Sequence, residues 1–388
     1  SLTPGTYLGT LSISASHTVD LTGFTVNRLS LSTSGTVDIT GLRVRFGAAS
    51  SGGCVSISSV GVTASFHNVH IAHCSSSAFG GGVLVRSTGQ SPMVTFDADC
   101  TISDAFADDG GGAIYLRHSG GGTPIVTFLG TITRCSSTSS AVVGMDTSTG
   151  TLTLGPGAVI QDSTSIGGAI ESFGGGSLVV NSVTIRRHSG YGTGDGSLIS
   201  LSSTGTAVVT GSTFVDSVTG RAALYIASGT PGLTVTGTSF TRIRGCLASV
   251  LYINPAASPA PPVTFDAGCA FTDNVAHVAD PSSAFPLGEI SDPSGIRTVT
   301  SGASSSGSRV VHAPCTNMAV TSAVPDSSIP LLQTYLDSLP PSPPGPITFA
   351  PTVFSDCSVP LRLSSSLPPG MVMDFTSATL SCATAQTQ

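Results

Sequence analysis

The chain has 388 residues, of which 39% are hydrophobic and only 9% are charged, and its formal net charge is −7. This hydrophobic content excludes a simply disordered chain, and an acidic chain without any lysine offers no basic surface to nucleic acid. No run of 18 apolar residues occurs, so the sequence predicts no membrane-spanning helix.

Residues 1–62 hold the first apolar repeats of the chain. Two of their apolar residues, Leu21 and Ile39, are only 18 residues apart, whereas later repeats are longer. We therefore predict that residues 1–62 form N-terminal coils or a cap.

Residues 63–300 carry the regular part of the pattern, in which a short valine- or phenylalanine-rich run recurs. Most gaps between successive runs are 26 to 32 residues, which is the spacing expected of stacked supersecondary units. One anchor residue marks each run: Leu21, Ile39, Phe66, Phe96, Phe128, Leu154, Val180, Val209, Val235, Phe265 and Val299.

A second apolar residue follows most anchors by four to six residues, across a short turn. A third apolar strand often comes next and is usually preceded by glycine, as in Gly110–Leu116. Val, Ile, Thr and Phe favour strands, and good helix formers are scarce. The sequence predicts three short strands per coil, and an all-β, right-handed parallel β-helix solenoid of about eleven coils. The second apolar residues are Val26, Val44, Ile71, Ile102, Ile132, Ile160, Ile185, Phe214, Phe240 and Phe271.

The pattern loosens over residues 301–388. This segment contains the proline-rich stretch Pro340–Gly345, which is typical of polyproline II structure, and then regains strand-like runs. We predict an irregular C-terminal cap or connector here.

Two recurring motifs resemble those of a known family. Gly-Gly-Ala-Ile occurs at 111–114 and 167–170, and Phe-x-x-Asn occurs at 24–27 and 271–274. These motifs are similar to the GGA[ILV] and FxxN repeats of the chlamydial polymorphic membrane protein family, whose passenger regions are β-helical adhesins. The resemblance covers roughly residues 20 to 300, and it implies an adhesive β-helix.

Two proline-rich segments, residues 258–262 and 341–344, are similar to glycomodules of hydroxyproline-rich extracellular glycoproteins of plants and green algae. None of the six asparagines stands in an Asn-x-Ser/Thr sequon, so we expect O-linked rather than N-linked sugar. The candidate acceptors are Ser258 and Ser342, together with Pro341, Pro343 and Pro344 if these prolines are hydroxylated.

The nine cysteines include no CxxC pair, so structural disulfides in an oxidising compartment are a better prediction than zinc sites. Cys74 and Cys100 lie about one repeat apart, and so do Cys246 and Cys269. Because adjacent coils are about 4.8 Å apart, we predict that each pair bridges two coils. Disulfides would place the protein outside the cell or at the cell surface.

Few residues suggest catalysis or metal binding. A glycosidase needs two carboxyl groups at a fixed separation, and the adjacent pair Asp108 and Asp109 stands before a glycine, which is ordinary turn chemistry. His67, His70 and His73 would converge on a metal only if a bend re-aimed one of them. The loop Gly192–Leu198 resembles part of a calcium-binding nonapeptide but occurs once. We predict no catalytic residue, metal or cofactor.

Two functions remain open. The first is a secreted structural or adhesive β-helix, which would be a subunit of an extracellular fibre, appendage or matrix and would associate end to end into filaments. The alternative is a carbohydrate-active β-helix enzyme, or a catalytically dead relative that binds glycans. Acidic residues from neighbouring coils that converge on one groove would favour the alternative.

Overall fold

A computed structural model describes residues 4–59, 61–118, 120–190, 196–202, 205–227, 232–254, 262–277, 290–291, 299–306 and 308–311, and short strands between 320 and 380. The described chain is all-β, and its strands pair in parallel to form a solenoid of about eight turns. No helix in these segments has the length and hydropathy needed to cross a membrane.

Each regular turn contains four strands, not the predicted three, and the strands stack into four parallel ladders that we number I to IV in chain order. The additional strand belongs to ladder III and is only two residues long in most turns, as at Phe106–Ala107. A two-residue strand leaves no alternating apolar pattern, which is why the sequence does not reveal it.

The ladders have the following members among the described residues. Ladder I contains His17–Asp20, Thr36–Thr40, Thr63–His67, Met93–Phe96, Ile125–Phe128, Thr151–Leu154, Ser177–Asn181, Thr206–Thr210, Gly232–Thr236, Val263–Phe265 and Val299–Ser301. Ladder II contains Arg43–Arg45, His70–Ala72, Thr101–Ser103, Thr131–Thr133, Val159–Gln161, Thr184–Arg186, Thr213–Val215, Ser239–Thr241, Ala270–Thr272 and Ser304–Ser306.

Ladder III contains Ala48–Ser51, Ser75–Phe79, Phe106–Ala107, Ser136–Ser137, Thr164–Ser165, Ser189–Gly190, Val218–Thr219, Arg244–Gly245, Val275–His277 and Arg309–Val311. Ladder IV contains Val55–Ser59, Val83–Ser87, Ile114–His118, Ala141–Asp146, Gly168–Phe173, Ser197–Leu201, Leu224–Ile226, Leu251–Ile253 and Ile290–Ser291. The strand Thr25–Leu31 pairs with both Arg43–Arg45 and Val55–Ser59, and it also pairs with Thr6–Ile13.

The predicted anchor residues and second apolar residues form two continuous columns along the solenoid, with exceptions only at the ends of the first column. All ten second apolar residues lie in one register along ladder II, for example Ile71, Ile102 and Ile132 in adjacent turns. The anchors share one register along ladder I except at its two ends. There, Val19 rather than Leu21 lies opposite Ile39, and Ser301 rather than Val299 lies opposite Phe265.

The solenoid axis is filled by these columns. Phe66, Phe96 and Phe128 are fully buried, and the ring centroids of Phe66 and Phe96 are 4.5 Å apart. Stacked identical side chains let each turn bury its apolar face against the next, because no single turn can do so alone.

Glycine is required in the corner that leads from the ladder III strand Phe106–Ala107 to the ladder IV strand Ile114–His118. Gly111 has a φ of +65°, and a Cβ there would lie 2.5 Å from the carbonyl oxygen of Ile114. A side chain at this position would meet both an unfavourable backbone region and the following strand. The Gly-Gly-Ala-Ile motif at 111–114 therefore marks this corner of the coil.

Further short strands lie beyond residue 311. Val320–Ser322, Ile347–Phe349 and Met373–Asp374 pair in parallel, and Thr352–Phe354 pairs in parallel with Ala378–Leu380. Val320, Ile347 and Met373 lie opposite one another at sequence spacings of 27 and 26 residues, which match the coil period.

Candidate functional surfaces

The disulfide differs from the prediction. Cys74 is bonded to Cys54, with 5.5 Å between their Cα atoms, so the predicted Cys74–Cys100 bond is wrong. Cys74 lies at the corner between ladders II and III, whereas Cys100 lies at the corner between ladders I and II. A spacing of one repeat does not place two residues in one column when they occupy different corners of the coil.

The predicted Cys246–Cys269 bond is also wrong, for the same reason. Cys269 carries a buried thiol at the corner between ladders I and II, whereas Cys246 follows ladder III. Cys269 and Cys100 occupy equivalent turns, and each donates its S–H to an aspartate three residues earlier, at 3.2 Å to Asp266 and 3.3 Å to Asp97.

Burial keeps the thiols of Cys100, Cys135 and Cys269 protonated at neutral pH. Burial raises the pKa of Cys100 and of Cys135 to about 12, and it also raises the pKa of Cys269. Because a thiolate is the reactive form, these cysteines act as small core residues that hold their turns.

The three clustered histidines make separate contacts. His67 Nδ1 lies 3.0 Å from Asp97 Oδ2, His70 Nδ1 lies 2.8 Å from Thr101 Oγ1, and His73 stacks on Phe46 with a centroid distance of 5.3 Å. Among the described residues, no three His, Cys, Asp or Glu side chains are placed to hold a metal ion.

The remaining sequence candidates lie in turns or outside the described part of the chain. Asp108 and Asp109 are exposed, and the carbonyl of Asp108 accepts hydrogen bonds from Thr138 Oγ1 at 2.6 Å and from Ser139 Oγ at 2.8 Å. Ser258, Ser342, Pro341, Pro343 and Pro344 lie outside the described residues, as do positions 192–195 of the glycine-rich loop.

A column of charged residues forms the corner between ladders II and III, and we call it the corner column. Each member follows a ladder II strand, has a φ between 50° and 54°, and donates its backbone N–H to the next turn where that turn is described. Aspartate and arginine alternate along it. Its members are Asp104, Arg134, Asp162, Arg187, Asp216, Arg242 and Asp273.

Each arginine of the corner column donates two hydrogen bonds to the carboxylate of the aspartate one turn before it. From Arg134 to Asp104, the Nε–Oδ1 and Nη2–Oδ2 distances are 2.7 and 2.9 Å. The same geometry joins Arg187 to Asp162 at 2.5 and 2.7 Å, and Arg242 to Asp216 at 2.5 and 2.9 Å. Hydrogen bonds from Arg242 lower the pKa of Asp216, and those to Asp104 raise the pKa of Arg134.

This alternation was missed at the sequence level, although a signal exists. Each member of the corner column stands two residues after the second apolar residue of its repeat, as Asp104 follows Ile102 and Arg134 follows Ile132. Aligning the repeats on the second apolar residue would have revealed alternating opposite charges in one column.

Polar residues line the interior next to the corner column. Ser163 Oγ accepts the backbone N–H of Cys135 at 3.2 Å, Ser217 Oγ accepts that of His188 at 3.2 Å, and Asn274 Oδ1 accepts that of Ile243 at 2.8 Å. These side chains satisfy backbone donors that the irregular corner would otherwise leave unpaired.

His188 is a buried imidazole in this interior strip. It is 1% exposed, its Nε2 lies 3.5 Å from Ser165 Oγ, and within the described chain its Nδ1 has no hydrogen-bond partner. Burial lowers its pKa to about 3, so it is neutral at physiological pH.

Glu171 is an acidic residue with a buried side chain, and burial is a property that it shares with the general acids of many enzymes. It is 2% exposed on ladder IV and accepts a hydrogen bond from Ser140 Oγ at 2.6 Å. Burial of the neighbouring Tyr115 raises the pKa of its phenol, and the negative charges of Asp146 and Glu171 raise it further. The acids of the corner column, in contrast, are interleaved with arginines rather than gathered in a groove.

No protein-family model matches the chain, and no curated protein matches it. Among solved structures, the chain is similar to "Crystal structure of Agl-KA catalytic domain", with 13% identity and a TM-score of 0.26. The match covers 78% of this chain and 62% of that one, so the chain spans less than two thirds of its length. A likeness of this size identifies neither an activity nor a substrate.

Proposed function

We propose that this protein is a secreted structural or adhesive β-helix, which serves as a subunit of an extracellular fibre, appendage or matrix. The corner column is the observation that carries this proposal. Its charged side chains form three ion pairs, each of which joins two adjacent turns of the solenoid. Charges arranged in this way hold successive turns together, which is what a rod needs.

The proposal includes a right-handed solenoid of about eleven coils. At ~4.8 Å per coil, such a rod is roughly 50 Å long. We expect its end coils to present strand edges that another chain can pair with, and hence end-to-end association into filaments, as open head-to-tail contacts produce. The disulfide between Cys54 and Cys74 supports an oxidising, extracellular location.

The alternative is a carbohydrate-active enzyme or a glycan-binding relative, and the buried carboxyl group of Glu171 is the feature that would favour it. Its carboxyl group is engaged by Ser140 and almost inaccessible, whereas a glycosidase needs two carboxyl groups that reach the scissile bond. The structural function is therefore the better supported one.

Small-angle scattering and electron micrographs of the native protein test the proposal. We expect a rod whose cross-section stays constant while its length grows in multiples of one molecule as concentration rises. A compact particle of fixed length at every concentration would contradict the fibre role. Release of reducing ends from a panel of polysaccharides would favour the enzyme instead.

The proposed O-linked sugar has a separate test. Intact mass of protein from its native source should exceed the mass of the bare polypeptide, and the excess should map to Ser258, Ser342 or hydroxylated Pro341, Pro343 and Pro344. A native mass equal to that of the polypeptide would contradict this part of the proposal.

A further inference from the structure

Phe46 is an aromatic side chain that lies largely in solvent, with 66% of its surface exposed, whereas the rings on the solenoid axis, such as Phe66, are fully buried. It follows the first ladder II strand, Arg43–Arg45, at the position that the corner column occupies in later turns. His73 holds the same position one turn later, and its imidazole stacks on the Phe46 ring with an interplanar angle of 8°. His73 therefore fixes the orientation of an exposed ring.

Two arginines without an anionic partner precede this ring. Arg43 and Arg45 both point outward from their strand, because the residue between them, Val44, is buried. Within the described residues neither guanidinium group forms an ion pair, and that of Arg45 lies 6.0 Å from the centroid of the Phe46 ring. We call Arg43, Arg45, Phe46 and His73 the basic–aromatic patch.

The first carboxylate of the corner column does not neutralise the patch. Asp104 accepts two hydrogen bonds from Arg134, and its side chain is only 4% exposed. His70 lies opposite Arg43 in the next turn, and its burial together with the charges of Arg43 and Arg45 lowers the pKa of its imidazole. The local field is therefore positive, although the chain as a whole has a formal net charge of −7.

Hydroxyl groups border the patch on the outer side of ladder II. Thr101 lies opposite His70, and Thr131 follows it in the next turn. Ser103 and Thr133 form a second column beside them. The hydroxyl of Thr101 lies 2.8 Å from His70 Nδ1, so it belongs to the same surface as the arginines.

We propose that the basic–aromatic patch binds an acidic polysaccharide, a chain of sugars that carry carboxylate groups. The inference rests on the proposed function and names the ligand of its adhesive form. Guanidinium groups bind carboxylates through paired hydrogen bonds, and alternate residues of a strand place their Cα atoms about 6.6 Å apart. The apolar face of a sugar ring packs on an aromatic ring, and the sugar hydroxyls exchange hydrogen bonds with serine and threonine.

Two other classes of anionic partner fit the patch less well. An acidic peptide that adds a strand to a sheet needs a free edge, and Arg43–Arg45 is already paired on both sides, with Thr25–Leu31 and His70–Ala72. Nucleic acid needs positive charges along its phosphate backbone, whereas the turns next to the patch present hydroxyl groups. A sugar acid matches the guanidinium groups, the exposed ring and the hydroxyl groups together.

Isothermal titration calorimetry on the full chain tests the proposal with a short oligomer of β-linked glucuronic acid. The ligand control is the glucose oligomer of the same length and linkage, which has a hydroxymethyl group in place of each carboxylate. The test variants are Arg43→Gln, Arg45→Gln and Phe46→Ala. The matched controls are Arg244→Gln, which removes an exposed arginine of ladder III, and Met93→Ala, which removes an exposed apolar side chain of ladder I. Circular dichroism establishes that every variant is folded.

We expect the wild type to bind the glucuronic acid oligomer at least ~10-fold more tightly than the glucose oligomer, because only the former offers carboxylates to the arginines. Each test variant should weaken binding at least ~5-fold, since it removes a charge-assisted hydrogen-bond pair or the ring contact. Arg43→Lys should bind between the wild type and Arg43→Gln, because an ammonium group keeps the charge but not the paired geometry. Equal affinity for the two oligomers, no measurable binding of either, or equal losses in the controls would overturn the proposal.

Two competing ligands and the shape of the particle separate this proposal from others. Tighter binding of an oligoglutamate or of single-stranded DNA, lost in Arg43→Gln, would assign the patch to a peptide or a nucleic acid and overturn the proposal. A rod-shaped wild type that binds no acidic sugar would overturn the inference and leave the structural function intact. A compact particle that binds the sugar through the patch would contradict the fibre role and leave the binding site assigned.

Discussion

At the scale of single residues, the corner column combines backbone strain with ion pairing. A positive φ is unfavourable for arginine, since its Cβ crowds the following carbonyl. Arg134 adopts a φ of 52° and still forms two hydrogen bonds with Asp104, whose side chain is 4% exposed. Paired, planar hydrogen bonds of this kind are among the stronger ones in proteins, and they offset the strain.

Removing one carboxylate from the corner column should destabilise the protein measurably. In Asp104→Asn, Arg134 keeps its charge but loses its partner in a half-buried site, so we expect a loss of about 2 kcal/mol in the free energy of unfolding. Denaturant unfolding measures this loss. Asp38→Asn, which removes a carboxylate on the ladder I strand Thr36–Thr40 outside the corner column, is the control and should change stability by less than about 0.5 kcal/mol.

His188 should make stability depend on pH. Its pKa is about 3 in the folded protein and 6.5 when unperturbed, so the unfolded chain takes up a proton first as the pH falls. The contribution of His188 to the free energy of unfolding is complete above pH 6.5, and it is lost as the pH falls towards 3, by on the order of 5 kcal/mol in total.

Thermal unfolding of the wild type and of His188→Gln between pH 7 and pH 5 tests this linkage. The wild type should lose stability over that window, and the variant should lose markedly less, whatever its absolute stability. The exposed residue His17 provides the control, because His17→Gln should retain the slope of the wild type. Equal slopes in the wild type and His188→Gln would contradict the assignment.

At the scale of elements, each strand is stabilised chiefly by the same strand in the next turn. Phe96 shows this most clearly, since its ring lies 4.5 Å from Phe66 in one neighbouring turn and 5.8 Å from Phe128 in the other. The outward residues of the same strand, such as Met93, make no comparable contribution to the core.

Truncating the phenylalanine column should therefore be costly. We expect Phe96→Ala to lower the free energy of unfolding by about 3–5 kcal/mol, because it leaves a cavity between two packed rings. Met93→Ala on the same strand is the matched control, and it should cost less than about 1 kcal/mol because Met93 is half exposed. Chemical denaturation would contradict the assignment if it gave similar losses for both.

The glycine corner between ladders III and IV allows a similar comparison. Gly111→Ala and Gly157→Ala both place a side chain at positive φ, but a Cβ at Gly111 meets the next strand whereas one at Gly157 meets nothing within 4 Å. We expect Gly157→Ala to cost about 1 kcal/mol and Gly111→Ala clearly more. Thermal unfolding of the two variants measures the difference, and equal losses would show that close approach does not matter at Gly111.

At the scale of the whole molecule, the solenoid is a quasi-one-dimensional stack in which each turn contacts only its neighbours. Stability in such proteins is approximately a sum over turns and over the contacts between them. A covalent bond between two turns therefore stabilises those turns directly, and it stabilises distant turns only through the contacts between successive neighbours.

The Cys54–Cys74 disulfide closes a loop with a sequence separation of 20 residues. Reduction, or Cys54→Ser with Cys74→Ser, should cost about 3 kcal/mol by freeing this loop in the unfolded chain. Non-reducing peptide mapping should recover a peptide that joins Cys54 to Cys74, and Cys100 and Cys269 as alkylatable thiols once the protein is denatured. Recovery of a Cys74–Cys100 peptide would contradict the structure.

The sequence by itself determined the parallel β-solenoid, its period and its inward columns. These features depend on residues such as Ile102 and Ile132, which recur at the coil spacing whatever the path of the chain between them. The tertiary structure decided the fourth strand of each turn, the partner of Cys74 and the pairing of Arg134 with Asp104. Each of these depends on which corner of the coil a residue occupies. Repeat length varies from turn to turn, so sequence distance alone does not fix that position, and only the folded backbone determines which residues of neighbouring turns lie side by side.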